Sequence, residues 1–430
     1  MEQSGETGNP NRNGQPHECI AEALDTTFNV LLLVVSCKIA LLLPCLEYVH
    51  SRRCRIDGAR YWFKVVIAPV EEWNCENSRA KLLRHRNVYP ARFVMLNRRR
   101  VMQGGLAALG SISATASFEA MAQGKPPVKV RYNEVVRSVL YAPSYVALSK
   151  GYFKDAGLDI TMTTAFGGDK STAALLSNTA DIALIGPETA IYVLNSDSTT
   201  KIRIFCGLTT TDGFMLMGRE KVDKFDWKML KGKEILGFRP GSTPLLFLEE
   251  ALRMNGIDPH KDVKLNNNVA IPARVGSWLA GQNQYGIFTE PDPSQLEVDG
   301  KAFALASIGQ TVGPADYTSF MATDKYIKEN PEVIQGFTNA IAKAMKWTAS
   351  ASPTEIVAAL EQYFPGVNKQ ALINAVARQQ KLNLWKTTPV IDEKPIEKFQ
   401  DVLVHGNVLE ASKRVKFQDL IRNEFANKAK

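Results

Sequence analysis

The sequence is poor in the residues on which covalent cross-linking and most enzyme chemistry depend. It has six cysteines in 430 residues, and five of them (Cys19, Cys37, Cys45, Cys54, Cys75) precede residue 95. Their spacings of 18, 8, 9 and 21 contain no C-x-x-C pair, which excludes a metal knuckle. Beyond residue 95 only Cys206 remains, so that part of the chain cannot close an internal disulfide. Cys206 lies in the apolar run Ile204-Phe205-Cys206 and reads as a core residue. There are five histidines, three of them (His17, His50, His85) in the first 94 residues. The other two, His260 and His405, have no triad partner nearby in sequence. No G-x-x-x-x-G-K-[ST] loop, G-x-S-x-G elbow or H-E-x-x-H pair occurs, and Gly168-Asp169-Lys170-Ser171 keeps only part of the first pattern. These absences leave no recognised catalytic motif and give an expectation of no cofactor and no metal.

A large excess of one charge is also missing. The net charge is +8, but residues 1–94 hold 12 Lys+Arg against 10 Asp+Glu, and residues 95–122 hold 3 against 1. Residues 123–430 keep 37 against 33, a surplus of four that gives no nucleic-acid footprint. Apolar residues at 45% and charged residues at 22% are ordinary for a globular protein. The length suggests two or three domains.

One long apolar run exists, Phe28 to Leu46, with Lys38 near its middle. A lysine at mid-span costs about 2.5–3.5 kcal/mol on insertion, which argues against a membrane helix. The break in cysteine and histidine usage near residue 95 marks residues 1–94 as an extension, non-native or disordered, and Met95 as the better start. From there Arg98-Arg99-Arg100, the mildly apolar stretch Gly104 to Phe118 and Ala120-Met121-Ala122 have the three-part layout of an export signal. Arg98-Arg99 before Val101-Met102 suits the twin-arginine type, with cleavage near Ala122. The expected location is the periplasm.

In residues 123–430 strand and helix signals alternate. Val128–Tyr132, Leu158–Thr164, Ile182–Ile185, Ile202–Leu208 and Phe214–Gly218 read as strands. Asp169 reads as an N-cap for a helix over Lys170–Ser177, and Ser242-Thr243-Pro244 opens another that stops at Asn255-Gly256. Ser352-Pro353-Thr354-Glu355 has the form of a capping box. Repeated strand–helix units predict an α/β fold of two lobes with a cleft between them. Lobe 1 is expected to take residues 123–216, lobe 2 residues 217–308, and residues 309–430 to complete lobe 1 and add C-terminal helices.

Several segments match one family in order. They are Tyr141-Ala142-Pro143-Ser144-Tyr145 with Lys150-Gly151-Tyr152-Phe153, Gly157-Leu158-Asp159, Ala180-Asp181-Ile182-Ala183, Gly241-Ser242-Thr243-Pro244, Asn255-Gly256-Ile257-Asp258-Pro259 and Thr289-Glu290-Pro291. The chain resembles solute-binding proteins of the nitrate/taurine/aliphatic-sulfonate and thiamine-pyrimidine-precursor superfamily over 127–420. The resemblance implies a type 2 periplasmic binding protein, a monomer that hands a small solute to an ABC permease and its ATPase. A pyrimidine synthase of the same superfamily is the enzymatic alternative, but its cysteine cluster is absent here; a binding protein used for sensing is the other alternative.

Ligands of open α/β sheets bind beyond the carboxyl ends of the strands. That rule selects Asn133 and Glu134, the ring pair Tyr141 and Tyr145, Gly168 and Asp169, Gly186 and Glu188, Thr211 and Asp212, and Thr289 and Glu290. Ser242 and Thr243 open a helix whose free N–H groups favour an anion, with Arg239 close by. The carboxylates Glu134, Glu188 and Glu290 fit a bare anion poorly and suit a solute with N–H donors.

Overall fold

The computed structural model describes residues 50–56, 59–65 and 126–430. The expected export signal, its cleavage site and the start at Met95 lie outside the described residues. The chain divides into two units, residues 1–104 and 105–430.

In the first unit β1 (His50–Ile56) pairs antiparallel with β2 (Ala59–Val65), Ile56 opposite Ala59. Residues 1–94 are expected from the sequence to be a non-native or disordered extension, and this hairpin lies within them. The missed signal is Asp57-Gly58, a two-residue sequence favoured in tight hairpins, just before the strand-forming run Tyr61-Trp62-Phe63.

The second unit opens with β3 (Val128–Glu134), β4 (Leu158–Thr164), β5 (Ile182–Ile185) and β6 (Ile202–Gly207). The chain then builds a second sheet from β7 (Phe214–Gly218), β8 (Glu234–Leu236), β9 (Lys264–Asn266), β10 (Tyr285–Thr289) and β11 (Phe303–Ser307). It returns to the first sheet with β12 (Ser319–Thr323). The first sheet has the order β4-β3-β5-β12-β6 and the second, read from the other edge, β9-β8-β10-β7-β11. The two sheets have the same plan. In each, three strands pair in parallel and one, β12 or β7, runs antiparallel to both its neighbours. That strand is the one arriving from the other sheet. The parallel strands end at the cleft, and a strand entering across the cleft begins there, so it must run the opposite way.

Helices cover both sheets: α1 (Ala142–Ser149), α2 (Tyr152–Asp155), α3 (Gly168–Leu176), α4 (Glu188–Leu194), α5 (Thr243–Met254), α6 (Arg274–Leu279), α7 (Asp292–Val298) and α8 (Ile308–Val312). The C-terminal part adds α9 (Asp324–Glu329), α10 (Pro331–Ser350), α11 (Pro353–Leu360), α12 (Lys369–Lys381), α13 (Glu393–His405) and α14 (Phe417–Leu420). α10 buries Val333, Ile334, Phe337, Ile341 and Met345 on one stripe. Phe337 meets the rings of Tyr132, Phe205 and Phe320 edge-on, at centroid distances of 5.9, 6.0 and 5.0 Å. Truncating such a residue to alanine costs about 3–5 kcal/mol. Cys206 is buried in the same core. The capping box at Ser352 and Glu355 forms as its spacing predicts.

Two expected caps differ. α3 begins at Gly168 with Gly167 as its N-cap, so Asp169 sits inside the first turn and leaves the capping position to glycine. Ser242 is the N-cap of α5, but its hydroxyl donates to the Arg239 carbonyl at 2.7 Å rather than accepting from the helix.

Candidate functional site

A cavity of about 310 Å³ opens between the two sheets. Its wall is made of loops that follow strand ends, as the topology dictates. Tyr141, Gly168, Asp169, Gly186 and Glu188 come from the first sheet's loops, and Arg239, Ser242, Thr243 and Thr289 from the second's. These nine of the expected site residues are brought together. The other six, Asn133, Glu134, Tyr145, Thr211, Asp212 and Glu290, are buried and do not line the wall.

Those six are held by other groups. Glu134 accepts from Arg137 Nε at 2.7 Å, from the Tyr145 hydroxyl at 2.5 Å and from Thr164 at 2.8 Å. Burial raises its carboxyl above the usual range, and these donors oppose the rise. The Tyr145 ring stacks on Tyr363 with centroids 5.0 Å apart. Asn133 donates to Thr163 at 2.9 Å. Glu290 accepts from Ser294 at 3.0 Å and from Arg378 at 2.7 Å. Thr211 and Asp212 lie on the crossover from β6 to β7. The Thr211 hydroxyl donates to the Gly313 carbonyl at 2.6 Å, which ties the outgoing crossover to the returning one. Asp212 Oδ1 accepts from the Phe214 N–H at 2.5 Å. Burial pushes its carboxyl up to about 7.

The wall also contains residues that strand-end logic did not select. Phe214, Phe238 and Tyr317 form an aromatic surface. Phe214 meets Phe238 edge-on at 5.2 Å and Tyr317 at 6.4 Å. Arg274 is buried with its guanidinium carbon 3.7 Å from the centre of the Phe238 ring. It donates to the backbone carbonyls of Gly237, Leu236 and Ile287. Asp292 is nearby in charge, and burial pushes its carboxyl up to about 6. Arg137 lines the wall while donating to Glu134, Thr164 and the Tyr363 carbonyl. The three guanidinium groups of the wall are thus committed, because Arg239 pairs with Asp169 at 2.9 Å. Lys170 is the remaining cation of the lining and lies exposed.

The acceptors are less committed. Glu188 Oε2 and Thr243 Oγ1, one from each half, converge over Gly186, where a Cβ would collide with both. Both atoms are buried, and neither completes an aligned hydrogen bond. Burial raises the Glu188 carboxyl, and the nearby Thr243 hydroxyl opposes the rise. Gly186 is therefore required by close approach rather than by its backbone angle.

The two halves also touch elsewhere. Tyr192 donates to the Gly241 carbonyl at 3.2 Å. The Ser138 hydroxyl lies 2.8 Å from that of Thr289 and donates to the Glu290 carbonyl at 2.6 Å. Among the described residues no cluster of three His, Cys, Asp or Glu is placed to hold a metal. No helix among them is long and apolar enough to cross a membrane.

Two sheets of like plan, joined by crossovers and enclosing a cavity at their strand ends, define the two-lobed periplasmic binding protein fold. The chain belongs to the NMT1/THI5-like family, whose model matches residues 139–356. It is 37% identical over 329 residues to YtlA of Bacillus subtilis (strain 168), named provisionally as a binding protein. The match spans 76% of this chain and 98% of that one. A 25% match over 244 residues, 52% of this chain and 66% of the other, is to 4-amino-5-hydroxymethyl-2-methylpyrimidine phosphate synthase of Aspergillus parasiticus. Among solved structures, the alkanesulfonate-binding protein SsuA from Xanthomonas axonopodis pv. citri, bound to MOPS, superposes with a TM-score of 0.57 at 17% identity. It covers 70% of this chain and 100% of that one. The periplasmic nitrate-binding protein NrtA from Synechocystis PCC 6803 gives 0.58 at 16%, over 70% and 88%.

Proposed function

We propose that this protein is the solute-binding component of an ABC importer. It captures a small solute by closing its lobes over the cavity and hands it to a membrane permease with its ATPase. It is a non-catalytic monomer that works in the periplasm after export and binds no nucleic acid. The supporting observation is the convergence of the Glu188 carboxylate and the Thr243 hydroxyl, buried polar groups from opposite halves whose only side-chain neighbour of opposite hydrogen-bonding role is each other. A buried polar atom without a partner costs about 1–3 kcal/mol. A solute N–H would give the buried Glu188 carboxylate a further donor beside the Thr243 hydroxyl and would favour closure.

The chemistry of the wall favours a flat, amine-bearing ring over a simple anion. Its arginines are already engaged, and its surface is aromatic and apolar around three acidic groups, Glu188, Asp292 and the Arg239-paired Asp169. An aminopyrimidine such as 4-amino-5-hydroxymethyl-2-methylpyrimidine has the required edge and face. A sulfonate or nitrate would have to draw Arg239 away from Asp169.

A thermal-shift screen of the chain tests this reading, with nitrate, taurine, alkanesulfonates and the aminopyrimidine as the panel. At about 100 times its Kd a ligand adds about 2.7 kcal/mol to stability. A shift of a few degrees with the aminopyrimidine alone is expected. A shift with sulfonate or nitrate alone overturns the solute class, and none with any compound overturns the binding role.

A further inference from the structure

Phe166 stands apart from the other aromatic groups of the cavity. It follows β4, lines the cavity and is 45% exposed. Phe214, Phe238 and Tyr317 pack against one another, whereas the Phe166 ring pairs with no other aromatic ring among the described residues. Tyr141, Phe214, Phe238, Phe288 and Tyr317 of the same wall are buried, so Phe166 is the aromatic residue there whose ring keeps a face open for a solute to cover.

Its backbone is unusual too. Phe166 has φ +55°, a left-handed conformation that a bulky residue rarely adopts. Such conformations persist where the surrounding structure enforces them, and they concentrate at ligand clamps. Here both flanks are fixed. The Ala165 N–H donates to the Glu134 carbonyl at 2.9 Å, so the chain is anchored to the end of β3. Four residues later Asp169 is paired with Arg239 of the other half at 2.9 Å. Gly167 lies between them, and a Cβ there would push against Asp169 Oδ1 at 2.6 Å and so against the ion pair. Between these two contacts the segment places the Phe166 ring at the cavity.

We propose that Phe166 is a specificity-determining lid: its ring closes on the flat face of a ring-bearing solute, while Asp169 and Arg239 fasten the segment that carries it. This rests on the solute-binding reading and adds to it the residue that selects planar solutes over compact tetrahedral ones. Water leaves the exposed ring face when the solute arrives, and the aromatic contact adds to the burial. A tetrahedral sulfonate offers no face to match.

The test is calorimetric titration of the full chain with 4-amino-5-hydroxymethyl-2-methylpyrimidine and with taurine, for the wild type, Phe166→Ala and Phe166→Tyr. Phe166→Ala is expected to weaken pyrimidine binding about five- to tenfold, and Phe166→Tyr to restore it to within twofold of the wild type. Thermal unfolding of each variant without ligand separates loss of contact from loss of fold. Phe166→Ala should melt no lower than the wild type, because alanine is no more strained at this position. Pyrimidine binding by Phe166→Ala within twofold of the wild type would overturn the lid and leave the solute-binding reading intact. Failure of the wild-type chain to bind either compound would overturn both.

Discussion

Asp169 and Arg239 form an ion pair of 2.9 Å that joins the first turn of α3 to the loop after β8, and so links one lobe to the other across the cavity. Both side chains are about half exposed. An exposed pair of this kind contributes about 0–1 kcal/mol to folding. Its consequence lies in how long the lobes stay together. Asp169→Asn is expected to leave the melting temperature within a degree or two and to speed ligand dissociation about two- to fivefold. The wild-type dissociation rate should approach that of the variant as salt rises from 0.05 to 0.5 M. Stopped-flow dissociation at the two salt concentrations checks this. Equal rates for both proteins at low salt would remove the pair from the closing contacts.

Glu188 and Thr243 meet over Gly186 from opposite lobes. Glu188→Gln keeps the shape but replaces an acceptor oxygen with a donor. For an aminopyrimidine the expected loss is ten- to a hundredfold in affinity, corresponding to about 1.4–2.8 kcal/mol for a charged hydrogen bond. For an anion the same change would be neutral or favourable. Titration of both ligands with the variant distinguishes the cases.

Asp212 is buried on the crossover, and its carboxyl is pushed up to about 7. The folded protein therefore holds a proton that the unfolded chain releases near pH 4. The stabilisation is fully present below about pH 4 and is lost as pH rises towards 7. Asp212→Asn removes the titrating group while keeping an acceptor for the Phe214 N–H. The variant should match the wild type near pH 4 and exceed it at pH 8 by on the order of 2–4 kcal/mol. Denaturant unfolding at the two pH values measures the difference, and an equal difference at both would contradict the assignment.

Gly309, in α8, packs directly on the backbone of Asp212, and a Cβ there would collide with the Asp212 carbonyl. The two crossovers therefore touch at backbone level, where no flexible side chain can give way. Gly309→Ala is expected to destabilise the protein by about 1–3 kcal/mol, as overpacking does. Unfolding midpoints give the value, and a variant as stable as the wild type would mean that the crossovers can separate freely.

The fold was readable because parallel strands buried on both faces appear as short apolar runs, as at Ile182–Ile185, and because glycines and prolines punctuate the helices. β11 was not predicted because Phe303 and Leu305 only alternate with alanines, and all five of its residues are only half buried. α4 was missed because it directly follows Gly186-Pro187, which reads as a turn. Strand-end logic found both lobes' contributions to the cavity. It did not separate Glu188, which reaches the wall, from Glu134, which stops at Arg137. A carboxylate after a strand looks the same in sequence whether it meets a solute or an arginine. Phe238 and Tyr317 were passed over for a related reason. An aromatic residue facing a cleft and one facing a core follow the same apolar pattern, and only the second sheet's placement distinguishes them.

The most direct test of the account is calorimetric titration of the wild-type chain and Glu188→Gln with 4-amino-5-hydroxymethyl-2-methylpyrimidine, beside methanesulfonate. The account predicts one site per chain for the pyrimidine, at least tenfold weaker in the variant, and no measurable heat with the sulfonate. Binding of the sulfonate by both proteins, with none of the pyrimidine, would contradict it.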